Sequence, residues 1–210
     1  MLGTRDLALF IVSGLLLNLT PGPDTLYIVG RSTTQGWRAG ALAALGICAG
    51  IFVHVAAAAA GLSVVLATSA KAFMLVKIAG AAYLVYVGIS LLRSPIEPEV
   101  TGANLAPVSL RKVFVQGFFT NVLNPKVALF FIAFLPQFVE PAAPSKAAAL
   151  LFLGAIFNLN GTLWNLFIAW SSARISGGLT RNARLARWFN RCVGGLFVVL
   201  GLKLALSSER

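Results

Sequence analysis

The sequence predicts an all-α membrane protein whose six transmembrane helices form two inverted repeats of three. Of the 210 residues, 58% are hydrophobic and only 11% are charged, whereas about a quarter of the residues of a soluble domain are charged. The apolar residues also form long runs, and about 20 apolar residues of helix cross a bilayer core roughly 30 Å thick. This composition excludes both a soluble domain and a disordered chain.

Six intervals are long and apolar enough to be predicted as spans: residues 7–30, 39–70, 72–92, 113–139, 147–173 and 188–206. The sixth is the least regular, because Arg191 and Lys203 lie inside it and must both reach the membrane surfaces. A polar segment separates the first three spans from the last three. We therefore expect a single transmembrane domain, with these parts: residues 1–210 overall, a first repeat at 7–93, a linker at 94–110 and a second repeat at 111–208.

The basic residues predict the orientation of these spans. The chain has 17 Lys and Arg against 6 Asp and Glu. The basic residues separate the apolar runs and do not cluster as on a nucleic-acid-binding surface. Loops rich in Lys and Arg stay in the cytoplasm. Most of these residues fall near Arg31 and Arg38, at residues 93–112 and at residues 174–191. Both termini are then expected in the periplasm, and the connection 174–191 is expected to contact anionic lipid.

The first span contains a predicted break near the membrane midplane. Pro21, Gly22 and Pro23 lie near its middle, and a proline removes a backbone donor and disrupts the helix. In hydrocarbon an unwound stretch is stable only when it is buried in protein or lines a wet cavity. Asp24 follows at once, and an ionisable side chain at membrane depth usually has a function. The alternatives are a plain proline kink and a carboxylate that only caps the restarted helix.

Span four repeats the pattern, with Asn121, Asn124, Pro125 and Lys126 near its middle. We expect a second break here. Lys126 would lie near the N-terminus of a half-helix, where the dipole disfavours a cation, so an anionic partner is expected. That partner is either Asp24 or the carboxylate of a substrate held jointly by Lys126 and the free amides of the half-helix. Asp24 would pair either with Lys126 or with a substrate ammonium or a proton. A change of partner would then favour a cavity open to one membrane surface over a cavity open to the other.

Two further helix faces carry polar residues. His54 follows Gly46 and Gly50 at four-residue spacing, so this face predicts the close approach of a neighbouring helix. The histidine is either a core residue bonded to a carbonyl or a proton-coupling group. Span five has one polar face, formed by Asn158, Thr162 and Asn165. This face either lines the cavity or bonds to a neighbouring helix.

The residues do not support an enzyme, a metal site or another cofactor. An aspartyl protease would need a second buried acid beside Asp24, and a serine protease would need a serine and a third group beside His54. One histidine and two cysteines cannot supply the three or four ligands of a metal site. We predict that Cys48 and Cys192 are small core residues. Two breaks with opposite charges favour an occluding binding site over the continuous pore of a channel.

The two halves of the sequence resemble each other. Pro21 in span one corresponds to Pro125 in span four. The run that begins at Lys77 also matches the run that begins at Arg191, with a basic residue, a glycine, an aromatic residue and a valine in the same order. Chance similarity between helices of Gly, Ala, Val and Leu is the alternative. Since each half has three spans, a true duplication places the halves in opposite orientations, as in secondary transporters.

Three groups of residues together resemble one family: residues 18–24, Asn-Leu-Thr-Pro-Gly-Pro-Asp; the glycines at 36, 40, 46 and 50; and the Asn-x-x-Asn-Pro-Lys motif at 121–126. In these motifs, in length and in its hydrophobic segments, the chain is similar to the LysE/RhtB family of amino-acid exporters. The resemblance implies efflux of amino acids from the cytoplasm across the bacterial inner membrane, driven by the proton-motive force. Some members are described with five crossings instead of six, which leaves the place of a terminal segment open. The resemblance assigns function to Pro21, Gly22, Pro23, Asp24, Asn124, Pro125 and Lys126.

The candidate site joins both breaks. The predicted substrate-binding residues are Pro21, Gly22, Pro23, Asp24, Asn121, Asn124, Pro125, Lys126, Asn158 and Thr162. Proton coupling is expected from Asp24 and His54. One acid and one base favour a neutral, zwitterionic amino acid, because a basic substrate would need a further acid. An exporter of basic amino acids, a channel and a lipid-handling protein are the alternatives, and a homo-oligomer is compatible with the sequence.

Overall fold

The computed structural model of the protein describes residues 3–20, 22–62, 70–93 and 106–174, with a few helical positions between 191 and 206. Within these ranges the chain is helical, and one isolated β-bridge joins Thr4 to Val139. The helices are α1 (Leu7–Leu19), α2 (Pro23–Gln35), α3 (Trp37–Ala57), α4 (Ala70–Arg93), α5 (Leu110–Val122), α6 (Pro125–Ala133) and α7 (Lys146–Arg174). A π-helical turn, Ala58–Leu62, continues α3, and a 3₁₀ turn, Leu135–Phe138, follows α6. The predicted all-α class is confirmed.

Several of these helices are long and apolar enough to cross a membrane. Two of them are continuous over Trp37–Gly61 and Lys146–Arg174. Two bent pairs are also apolar enough when each is taken as one span: α1 and α2 meet at 53°, and α5 meets the segment Pro125–Phe138 at 50°. These bends fall at the two predicted breaks. Helix α4 has 24 residues and coincides with the predicted third span, whereas most of the predicted sixth span, 188–206, lies outside the described residues.

The helix of the first span continues beyond the predicted end of the span at residue 30. Helix α2 continues to Gln35, and Arg31 is buried inside the bundle, with 4% of its surface exposed, instead of lying in a loop. The burial is tolerated because the guanidinium donates to side-chain and main-chain oxygens of its neighbours. The turn that follows requires a positive φ, +79° at Gly36, which glycine adopts without steric strain.

Glycines set the spacing between α3 and α5. A Cβ added at Gly46 would collide with the carbonyl oxygen of Phe114, and one at Gly117 would lie 2.6 Å from the carbonyl oxygen of Ala43. The backbones of the two helices are therefore in direct contact. This confirms the prediction that the face of α3 carrying Gly46 admits a close neighbour.

Two hydrophobic cores form on the described helices. The larger, here called the aromatic core, contains Phe10, Phe130, Phe131, Phe134, Phe138 and Phe157, with aliphatic residues of α3 and α7. The smaller, here called the small-residue core, contains Ile28, Ala43, Ala44, Ile47, Val113 and Ala169. Each core packs different parts of the same long helices, since α3 and α7 contribute to both.

The first and fourth spans run antiparallel. The start of the first span meets the end of the fourth, where Arg5 N–H donates to the carbonyl of Phe138 at 2.9 Å. The end of the first span meets the start of the fourth, where Arg31 Nη2 donates to Gln116 Oε1 at 2.8 Å. The two breaks therefore face each other halfway along the pair.

Candidate functional site

The first break separates α1 from α2 at residues 20–22. The N–H of Thr20 still bonds to the carbonyls of Leu16 and Leu17 and ends α1. Gly22 is extended, with φ −157° and ψ −175°, and Pro23 occupies the first turn of α2, where its missing N–H is not needed. Asp24 follows in that first turn, a position favoured by the helix dipole. The predicted restart of the helix at this acid is confirmed, and Pro21 lies outside the described residues.

The second break separates α5 from α6 in the same way. Asn124 caps α6, because its Oδ1 accepts the N–H of Lys126 at 3.0 Å. Pro125 takes the first helical position. The predicted break after Asn121 is therefore confirmed, and its geometry follows from an asparagine cap and a proline that starts the next helix.

The side chains of the two breaks bond to each other. Asn121 Nδ2 donates to Asp24 Oδ2 at 2.8 Å, and Asn124 Nδ2 donates to Asp24 Oδ1 at 3.2 Å. In the other direction, the Lys126 ammonium donates to the carbonyl of Thr20 at 3.3 Å. Each charge is thus held by neutral groups of the opposite break. The hydrogen bonds of the described residues include no direct contact between Asp24 and Lys126.

A cavity of about 40 Å³ lies between the breaks. Its polar wall is formed by Asn18, Thr20, Gly22, Asp24, Thr25, Asn121, Asn124, Lys126 and Asn165, and its apolar wall by Leu17, Ile47, Ile51, Val127 and Phe157. The volume admits a water molecule and is too small for an amino acid, since ligand sites usually enclose several hundred Å³. The lining therefore offers a carboxylate, an ammonium and amide groups together with hydrocarbon.

His54 is attached to the site through Asn121. Its Nε2 lies 3.0 Å from the carbonyl oxygen of Asn121, the residue whose side chain binds Asp24. The imidazole also stacks on the Phe131 ring, with the centroids 6.0 Å apart. Both predicted proton-coupling residues therefore contact the same asparagine, one at its main chain and the other at its side chain.

The polar face of α7 divides between two roles. Asn158 Nδ2 donates to the carbonyl of Cys48 at 3.3 Å, and the Thr162 hydroxyl contacts Cys48 Sγ at 3.0 Å. These two residues bond to the neighbouring helix α3 and do not line the cavity described above. Asn165, one turn further along, does line it. Cys48 is buried, as predicted for a small core residue, whereas Cys192 lies outside the described residues.

Several cavity residues are not among the predicted substrate-binding residues. Asn18 and Thr25 line the cavity, and Nδ2 of Asn18 is buried without a hydrogen-bond partner in the described part of the chain. Ile47 and Ile51, which lie one turn apart on α3, form part of the apolar lining. Position alone could have indicated Asn18 and Thr25, since each lies within a few residues of the first break. The two isoleucines carry no such signal, because the other aliphatic residues of α3 look the same in sequence.

Comparison with known proteins assigns this architecture to a family. The model of the LysE type translocators matches residues 15–208. A membrane protein of Pseudomonas aeruginosa is 32% identical over 99% of this chain and 98% of its own length. The leucine efflux protein of Salmonella typhimurium is 28% identical over 93% of this chain and 92% of its own, and that of an Enterobacter strain is 28% identical over 97% and 96%. No solved structure matches the chain.

The apolar helices and the polar cavity between two broken spans define a membrane transport protein of the bacterial inner membrane that crosses it several times. The chain belongs to the family of LysE type translocators. It is accordingly a transporter and not an enzyme.

Proposed function

We propose that the protein exports neutral amino acids from the cytoplasm to the periplasm by alternating access, driven by the proton-motive force. The observation that carries the proposal is the cavity, in which one acid and one base are accompanied by amides and an apolar wall. An α-ammonium can bind Asp24 and an α-carboxylate can bind the Lys126 ammonium. The leucine efflux proteins among the relatives support an amino-acid substrate.

The apolar wall favours a neutral side chain over a basic one. Ile47, Ile51 and Phe157 line the side of the cavity that lies on the continuous helices α3 and α7. A cationic side chain placed against them would leave its charge unpaired, because Asp24 is the one acid among the described lining residues. Export of basic amino acids, the alternative, would require a further carboxylate.

The antiparallel first and fourth spans support two inverted repeats, residues 7–93 and 111–208, within one domain of residues 1–210. Each of these spans breaks at a proline, and each break supplies one charge to the same cavity. In secondary transporters of this plan, half-helix ends converge on the substrate near the membrane midplane. Six spans with both termini in the periplasm complete the proposal.

Asp24 is the proposed site of proton coupling. In the described structure its two oxygens accept hydrogen bonds from the side-chain amides of Asn121 and Asn124. Protonation, or binding of a substrate ammonium, would compete with these amides and release α5 and α6 from α2. The movement of Asn121 would also change the contact between its carbonyl and His54 Nε2. Asn158 and Thr162 would support the site by holding α7 to α3.

The test is an efflux assay in inside-out vesicles that contain the full-length protein, with leucine, threonine, lysine and arginine as substrates, each with and without a proton gradient. We expect gradient-dependent flux of leucine that Asp24→Asn and Lys126→Met both abolish. Asn160→Ala is the matched control, because Asn160 lies on α7 outside the described cavity. Flux of lysine but not leucine would overturn the substrate class, and normal flux in Asp24→Asn would reduce the carboxylate to a helix cap.

A further inference from the structure

A polar stripe on α2 connects the cavity to one end of the bundle. Asp24, Tyr27, Arg31 and Gln35 follow one another at spacings of three and four residues, so they share one helical face. Asp24 lines the cavity, and Gln35 is the last residue of the helix. The bonds to Asn121 and Gln116 show that this face looks toward α5.

Arg31 is the centre of the stripe. Its Nη1 donates to Gln35 Oε1 at 2.8 Å and to the carbonyl of Ala106 at 3.0 Å, and its Nη2 donates to Gln116 Oε1 at 2.8 Å. The guanidinium carbon lies 5.5 Å from the centre of the Tyr27 ring. One buried side chain therefore joins α2, α5 and the segment that precedes α5.

That preceding segment, residues 106–109, is here called the strap. Gln35 Nε2 donates to the carbonyl of Val108 at 2.8 Å, and Gln35 Oε1 accepts the N–H of Val108 at 3.3 Å. Ala106 and Pro107 are exposed, so the strap forms the outer layer over buried Arg31. Beneath it, the Tyr27 hydroxyl donates to the carbonyl of Val113 at 2.9 Å and lies 3.1 Å from Gln116 Oε1.

The helices themselves are held together by other contacts. A Cβ at Gly40 on α3 would collide with Ser32 Oγ on α2, and α3 touches α5 at Gly46 in the same manner. Both α2 and α5 are thus fixed against α3, and long side chains and the strap fill the gap between them. All the acceptors that the structure describes for Arg31 are neutral amide oxygens. Water can replace such acceptors at smaller cost than it can replace a buried carboxylate partner.

We propose that Arg31 is a positioning residue for transport. Its hydrogen bonds to Ala106 of the strap and to Gln116 of α5, here called the latch, hold the strap over the α2–α5 interface and close the path between the cavity and one membrane surface. When these bonds break, the stripe on α2 and the α5 residues Gln116 and Asn121 line a wet path to Asp24. The inference rests on the proposed function only in taking the cavity as the substrate site. Its test measures access to the cavity and needs no knowledge of the substrate.

The experiment measures how fast a cysteine in the cavity reacts with membrane-impermeant thiol reagents. The native cysteines are first replaced by Cys48→Ser and Cys192→Ser in the full-length protein, and Thr25→Cys, on the cavity wall, is the reporter. Reagents are added to inside-out and to right-side-out vesicles in parallel. A cationic and an anionic methanethiosulfonate are compared, because removal of a positive charge alone would accelerate one and slow the other.

We expect Arg31→Met to accelerate both reagents about tenfold or more, since the hydrogen bonds of one charged group shift an equilibrium by at least that factor. The acceleration should occur from one membrane face only, the cytoplasmic face if basic loops lie inside. Arg38→Met is the matched control: it removes the same charge from an exposed position of α3 at the same end and should leave both rates unchanged.

Equal rates in Arg31→Met and Arg38→Met, or acceleration from both faces, would overturn the proposal. If Arg31→Met does not accumulate in the membrane, Gln116→Leu decides the question, because it removes the α5 acceptor and leaves the guanidinium in place. Arg31→Lys should restore part of the protection. If Arg31→Met changes reagent access to the cavity but no variant transports an amino acid, the exporter is rejected and the latch is kept. If amino acids are transported but reagent access is unchanged, the latch is rejected and the exporter is kept.

Discussion

The two ends of the cavity are closed by different interactions, aromatic packing at one end and hydrogen bonds at the other. On one side the aromatic core packs phenylalanine rings, with Phe130 and Phe134 stacked at a centroid distance of 4.8 Å. On the other side lies the small-residue core, which contains no aromatic ring among its buried members, and Arg31 with the strap completes the proposed closure. Packed rings lose their contacts when they separate, and water cannot replace those contacts. Polar side chains can exchange partners with water, so the two ends are expected to respond differently to substitution.

The largest effect is expected at the contact between α3 and α5, where the two backbones touch directly. Gly46→Leu would force its side chain into the Phe114 carbonyl and separate α3 from α5, so we expect no folded protein. The check is the monodisperse fraction on size-exclusion chromatography in detergent. Gly61→Leu is the control, because nothing lies within 4 Å of an added Cβ there. Recovery of Gly46→Leu at the level of the control would contradict the close approach.

The aromatic core is tested by Phe134→Ala. Phe134 is fully buried and contacts the rings of Phe10, Phe130 and Phe138. Its truncation should lower the free energy of unfolding by about 3–5 kcal/mol, seen as a lower Tm in detergent. Phe52→Ala removes the same ring from a side chain that is 57% exposed and should change Tm little. Equal losses at both positions would mean that the rings do not form a specific core.

The latch should contribute less to stability than the rings do. Gln116→Leu removes the acceptor shared by Arg31 and Tyr27, so we expect a loss of about 1–3 kcal/mol. The double variant Arg31→Met/Gln116→Leu should lose less than the sum of the single variants, because both remove the same bond. A strictly additive result in Tm measurements would show that the two side chains are not coupled.

The smallest effect is expected from helix caps, of which the chain offers a matched pair. Asn124 caps α6 and also binds Asp24, whereas Ser109 caps α5 and accepts the N–H of Lys112. Either change to alanine should cost about 1 kcal/mol of stability. Only Asn124→Ala should also change amino-acid efflux, because only that cap holds the carboxylate. Equal efflux in both variants would separate Asn124 from the site.

The breaks could be predicted from the sequence because their causes are local. Proline removes a backbone donor wherever it stands and fits the first position of a helix, so Pro23 and Pro125 inside apolar runs favour a break followed by a new helix. Their meeting in one cavity also follows, since a charge at membrane depth needs a polar partner. The partner itself does not follow: Asp24 bonds to Asn121 and Asn124, and this choice depends on how α2 packs against α5 and α6.

Arg31 shows where local reasoning fails. An arginine at the edge of an apolar run normally lies in a loop. Here two acceptors from distant parts of the chain, on Ala106 and Gln116, bring it into the bundle, and Gln35 on the same helix adds a third. The division of the α7 face is similar. Spacing places Asn158, Thr162 and Asn165 together, but only the position of α3 decides that the first two bond to Cys48 and the third reaches the cavity.

The most direct test of the central claim is equilibrium binding of radiolabelled leucine to the purified full-length protein. If the two breaks form one substrate site, wild type binds saturably, and Asp24→Asn and Lys126→Met each weaken binding at least about tenfold through loss of one charged contact. Asn160→Ala should bind as wild type does. Unchanged binding in both charge variants would place the substrate elsewhere and contradict the account.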